Sequence, residues 1–76
     1  MTKGTIKQQL AIMKAIADAR QRANLSQREL SAKLHQGPTF VQRIESGSRD
    51  VTVAEFIVIA RALGIEPGEL LNDAVR

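Results

Sequence analysis

Between Leu25 and Gly47 the chain reads LSQRELSAKLHQGPTFVQRIESG, two short helix patterns divided by a turn that leaves room only for a crossed helix pair. Ser26 and Glu29 form a capping box, in which the hydroxyl accepts from the Glu29 amide and the carboxylate accepts from the Ser26 amide. Leu30 and Leu34 follow at four-residue spacing and therefore share a face. After His35, Gln36 and Gly37, Pro38 has the fixed φ and missing N–H that suit the first turn of a helix, which predicts a second helix over 38–46. At about 100° per residue, Val41, Ile44 and the stem of Glu45 turn inward, while Thr39, Gln42 and Arg43 fall on the other side. That outward set is uncharged polar or cationic, the chemistry that suits base edges in a duplex groove.

The rest of the chain also reads as helix. From about Thr5 to Ala23, the residues Ile6, Leu10, Met13, Ile16, Ala17 and Ala23 recur at spacings of three and four, with Lys7, Lys14, Gln21 and Arg22 elsewhere around the barrel. This predicts a long amphipathic first helix preceded by a frayed tail over residues 1–4. Asn24 stands where a left-handed residue ends a helix. The second helix is expected over 26–34 and the third over 38–46, stopped by Gly47, with Ser48, Arg49 and Asp50 as a polar loop. Thr52 and Glu55 make a second capping box for a fourth helix running to Leu63, which Gly64 ends. Pro67 opens a short fifth helix over 67–74. No segment alternates with period two, so no strand is expected. The fold class is all-α, one compact five-helix domain over 1–76, near the size where stability is marginal without a partner.

Composition narrows the chemistry. Hydrophobic residues make up 43% of the chain, yet only two are Phe and none is Trp or Tyr, so the core is aliphatic and platforms for stacking single-stranded bases are absent. There is no cysteine, hence no disulfide framework or thiolate metal site, and the reducing cytoplasm, with its nucleoid, is the simplest compartment. No apolar run reaches signal-peptide or membrane-spanning length, so neither export nor a membrane role is expected. The net charge of +3 conceals a division. Residues 1–49 hold nine Lys or Arg against Asp18, Glu29 and Glu45, and residues 50–76 hold Arg61 and Arg76 against five acids. The basic part contains the paired-helix motif, as phosphate neutralisation requires. His35 is the only histidine. Without a carboxylate, Cys or second His near it in sequence it makes neither a triad nor a metal site, and it reads as a turn residue. No cofactor and no catalytic residue is expected.

At these residues the chain resembles the Cro and lambda-repressor-like helix-turn-helix proteins, the XRE family. The pattern L-S-Q-x-E-L-A-x-x-L, a turn, I/V-S-x-I-E-x-G is matched by Leu25, Ser26, Gln27, Glu29, Leu30, Ser31, Leu34, Val41, Ile44, Glu45 and Gly47. Ala60, Ala62, Leu63, Gly64 and Ile65 with Leu70 and Leu71 resemble the closing segment, and Phe40, Val41 and Val53 to Phe56 resemble a subgroup. The likeness runs from about Ile12 to Leu71. His35, Gln36 and the pair Gly37 and Pro38 depart from the family's turn, which bears on base contacts more than on fold.

The resemblance implies a lambda-repressor-like domain in which the second and third helices form the helix-turn-helix. Gln27 would contact phosphate and brace the third helix. Thr39 and Arg43, one turn apart, would meet the groove floor, with Arg43 paired to guanine and Thr39 to a thymine methyl or a phosphate. Gln42 would lie at the edge of that face, Gln36 and Pro38 at its entrance, with Pro38 offering shape alone. Ser48 and Arg49 would clamp the backbone after the third helix, Arg49 as a phosphate contact or as a plain loop charge. Phe40 would pack at the core margin. Glu45 would pair with Arg20 as a structural ion pair. Together these imply a sequence-specific double-stranded DNA-binding transcriptional regulator, a homodimeric repressor on a palindromic operator, with Val58, Leu71 and Val75 as the dimer surface. Two other readings stand beside it: an antitoxin that masks a toxin and represses its own operon, and a protein-binding adaptor with no specific DNA site.

Overall fold

In the computed structural model, which describes residues 3–76, five helices follow one another and no strand occurs among the described residues. They are α1 (Lys3–Arg22), α2 (Gln27–Lys33), α3 (Phe40–Ser46), α4 (Val53–Ala62) and α5 (Pro67–Val75). Of the tail expected over residues 1–4, the first two lie outside the described residues, and Lys3 and Gly4 already belong to α1.

Local chemistry sets most helix ends. Both capping boxes form, Ser26 with Glu29 before α2 and Thr52 with Glu55 before α4. Four helices end on a left-handed residue: Asn24 at φ 59°, His35 at 57°, Gly47 at 83° and Gly64 at 72°. At each of these the amide of the next residue returns to the carbonyl five residues back: Leu25 to Arg20 at 3.2 Å, Gln36 to Ser31 at 3.0 Å, Ser48 to Arg43 at 3.0 Å and Ile65 to Ala60 at 2.9 Å. This closure satisfies carbonyls that a helix end would otherwise leave bare.

The start of α3 differs from the expected 38–46. The Phe40 amide bonds the Gly37 carbonyl at 3.1 Å, and Thr39 sits at φ −100°, ψ 3°. These are the marks of a type I turn with Pro38 at its second position, where the ring's fixed φ serves as well as it would in a helix. Helix begins only at Phe40.

Each helix sends at least one fully buried aliphatic side chain into a common cluster, the largest being Ile16, Leu30, Ile44, Ile59 and Leu70. Val41, Ala15, Ala19, Ala60, Phe56, Leu34 and Ala74 fill the space around them. The radius of gyration is 11.6 Å, against about 11 Å for a well-packed chain of this length. α1 packs on α5 and α3, α2 on α3, and α4 on α5.

The buried stripe of α1 is Ile12, Ala15, Ile16 and Ala19, which shares only Ile16 with the expected line through Ile6, Leu10, Met13, Ile16, Ala17 and Ala23. Small alanines let the neighbouring helices approach, so close packing chose a face that side-chain size did not advertise. Ile6 and Leu10 stand 48% and 57% exposed as a result.

Candidate nucleic-acid interface

The α2–α3 unit is fixed from behind by a polar network that begins at α1. Arg20 donates through Nε to Glu45 Oε2 at 2.6 Å, through Nη2 to Glu45 Oε1 at 3.0 Å and through Nη1 to the Leu25 carbonyl at 2.8 Å. The two side chains are only 11% and 9% exposed. The Glu45 bond holds the Arg20 guanidinium above its ordinary pKa, so it stays cationic. Gln27 completes the network by donating Nε2–H to Glu45 Oε1 at 2.8 Å. The expected pair therefore meets, and the bracing half of the expectation for Gln27 is visible: its amide is turned onto α3.

A second tie is Ser31, fully buried between α2 and α3. Its hydroxyl donates to the Gln27 carbonyl at 2.8 Å and accepts from the Val41 amide at 3.0 Å. Thr39, at the cap position of α3, makes no side-chain cap bond, so Ser31 supplies from the neighbouring helix what the cap lacks. Sequence reasoning missed this role. The available signal was a hydroxyl next to Leu30 on a buried face where the resemblance has Ala.

With Val41 and Ile44 buried, the opposite face of α3 is presented to solvent, and Thr39, Gln42 and Arg43 are all exposed there. Gln36 and Pro38 are exposed in the preceding turn. Ser48 is exposed beyond the other end, its amide on the Arg43 carbonyl at 3.0 Å and its hydroxyl 2.8 Å from that of Ser46. A convex helix with uncharged polar and cationic groups matches the width and donor–acceptor pattern of a duplex major groove.

Arg49 is not a loose loop charge. Its Nη1 and Nη2 donate to Glu55 Oε1 and Oε2 at 2.8 and 2.6 Å, Nη1 also reaches the Asp50 carbonyl at 3.0 Å, and Cζ lies 4.7 Å from the centroid of the Phe40 ring. Bonds from Arg49 and from the Thr52 amide lower the Glu55 carboxyl from 4.5 to about 2. Nothing in the residue pattern points to this fork, because the capping box already accounts for Glu55 and one carboxylate can serve both.

The three aliphatic residues expected at a dimer surface are exposed, Val58 at 54%, Leu71 at 47% and Val75 at 68%. Val58 lines an open cleft of about 180 Å³ with Leu34, Phe40 and Ala54, whereas Leu71 and Val75 line another with Lys7, Ala11 and Ile12 of α1. No helix among the described residues is long and apolar enough to cross a membrane.

The comparisons with known proteins agree with this geometry. A helix-turn-helix family model matches residues 16–70. Control protein C.BamHI of Bacillus amyloliquefaciens is 33% identical over 51 residues, which is 67% of this chain and 63% of that protein's length. An XRE-family like protein from Pseudomonas syringae pv. tomato str. DC3000 has a solved structure that superimposes with a TM-score of 0.82 at 31% identity, covering 90% of this chain and 83% of the other. With a buried Arg20–Glu45 brace, a helix pair closed at His35 and an exposed polar face on α3, the chain belongs to the XRE-like helix-turn-helix family.

Proposed function

We propose that the protein is a homodimeric repressor acting in the cytoplasm, which reads a palindromic operator by placing α3 in the major groove of double-stranded DNA. The observation that carries this reading is the division of α3 into a pinned face and a free one. Val41, Ile44 and Glu45 are held by the core and by Arg20 and Gln27, so Thr39, Gln42 and Arg43 meet a ligand on a rigid mount. Arg43 takes guanine O6 and N7, Thr39 a thymine methyl or a phosphate, and Gln42 the groove edge. Gln36 and Pro38 shape the entrance, while Gln27 and Ser48 approach the sugar–phosphate backbone. Nine of the eleven basic residues precede Asp50, which supports the electrostatic part of binding. A dimer through the aliphatic surface of Val58, Leu71 and Val75 sets two α3 helices on half-sites about 34–36 Å apart. Repression then follows from occupying a promoter. The name of the relative, a control protein, fits a regulator.

Selection from random duplex DNA tests the reading. Enrichment of a two-fold symmetric motif with half-sites about one helical turn apart is the expected result. A reporter with that motif across its promoter should fall in output when the protein is expressed. Absence of any enriched motif would overturn the reading in favour of a protein-binding adaptor.

A further inference from the structure

Phe40 opens α3, yet the group that covers its ring comes from beyond the other end of the helix. Arg49 reaches back from the α3–α4 loop to place its guanidinium 4.7 Å from the ring centroid. Glu55, in the first turn of α4, holds that guanidinium in a two-pronged grip at 2.8 and 2.6 Å. Its Oε1 also accepts the Thr52 amide at 3.0 Å, so the grip is anchored in the cap of α4. A continuous line of contacts thus runs from the start of α4, through Glu55 and Arg49, to the first residue of the helix that carries the exposed polar face.

That line meets α3 at its first residue, whose ring no bond of the helix itself orients. α3 has seven residues and no side-chain cap of its own, and the preceding residue, Thr39, belongs to the exposed face. A flat cation over an aromatic ring fixes the ring's plane as well as its distance, and a carboxylate fork fixes the plane of the cation. We propose that Glu55 is a positioning residue for DNA recognition: through Arg49 it orients Phe40, and with it the angle at which Thr39 and Arg43 meet the base edges. This rests on the reading of α3 as the groove-entering helix. Three Arg49 N–H bonds are spent inside the protein, so its guanidinium serves the fold of the interface before any phosphate.

Glu55→Gln separates the two duties of the carboxylate, because glutamine still fills a capping box while the ionic fork is lost. Arg49→Lys keeps the charge and loses the fork. Phe40→Leu removes the ring face and leaves an apolar side chain. Anisotropy titrations would compare the selected duplex with a scrambled one across a salt series, with circular dichroism on the same samples. In Glu55→Gln the ratio of selected to scrambled affinity should fall about threefold to tenfold, with the scrambled-duplex salt slope and the helix content as in the wild type. Arg49→Lys and Phe40→Leu should lose the same ratio, and the double variant Glu55→Gln with Phe40→Leu should lose no more than either single one. An unchanged ratio in Glu55→Gln overturns the proposal. So does an Arg49→Lys protein with full discrimination, which would make Arg49 a phosphate clamp. Should Glu55→Gln lose helix content, the Arg49→Lys and Phe40→Leu titrations decide. A wild type preferring no duplex would sink the reading of α3 itself, and the role of Glu55 with it.

Discussion

Ser31 shows how one buried hydroxyl can decide the geometry of a helix pair. It bonds a carbonyl on its own helix and the second amide of the next, and the bond to that amide is buried. Ser31→Ala keeps the volume nearly unchanged but leaves the Val41 amide buried and unbonded, so a loss of about 1–3 kcal/mol is expected by chemical denaturation. A change below a few tenths would mean water reaches that amide. Glu55 supports a pH prediction. Its carboxyl drops from 4.5 to about 2 on folding, so its contribution is complete above about 4.5 and is lost as pH falls from there towards 2. Glu29 acts in the same direction, lowered by the Ser26 amide. Melting temperatures measured down this range should fall for the wild type and fall less for Glu55→Gln. Parallel curves would show that Glu55 keeps its ordinary acidity in the fold.

The elements divide into those written in local chemistry and those decided by packing. The capping boxes at Ser26 and Thr52, the left-handed closures at Asn24, Gly47 and Gly64, and the meeting of Arg20 with Glu45 were legible, because each follows from residue type at fixed spacing or from the family resemblance. The start of α3 was not, since Pro38 has the same φ in a type I turn as in a helix. The buried face of α1 was not beyond Ile16, since Ala15 and Ala19 are chosen by the approach of α3 and α5 rather than by hydrophobicity. Neither was the Arg49–Glu55 fork, which joins a loop to a carboxylate that already had a partner. The Arg20–Glu45 pair carries a prediction at this scale, because it joins α1 to α3 at 2.6 Å with both side chains nearly closed to water. Arg20→Met and Glu45→Gln should each cost about 3–5 kcal/mol by stranding the other group, and the double variant should cost much less than their sum. Additive effects under about 1 kcal/mol would mean that the pair is solvated and merely decorative.

At the scale of the molecule, a five-helix core presents one polar helix face and leaves several aliphatic side chains in water. Val58 lies in one cleft and Leu71 and Val75 in another, and the packing of α1 leaves Ile6 and Leu10 exposed as well. Single exposed aliphatics are ordinary on a surface, but the proposed dimer would cover both clefts. Val58→Glu with Leu71→Glu should therefore yield a folded monomer in sedimentation, with much weaker binding to a two-half-site duplex. An undisturbed dimer would move the interface to the first two turns of α1. The central claim, that α3 reads base edges, is tested most directly by position-by-position affinities for single-base variants of the selected duplex, taken for the wild type and for Arg43→Ala. The account predicts that Arg43→Ala abolishes preference at one position per half-site, at a cost of about 1–3 kcal/mol, and leaves the others as they were. Preferences unchanged at every position, or an equal loss on all sequences, would contradict it.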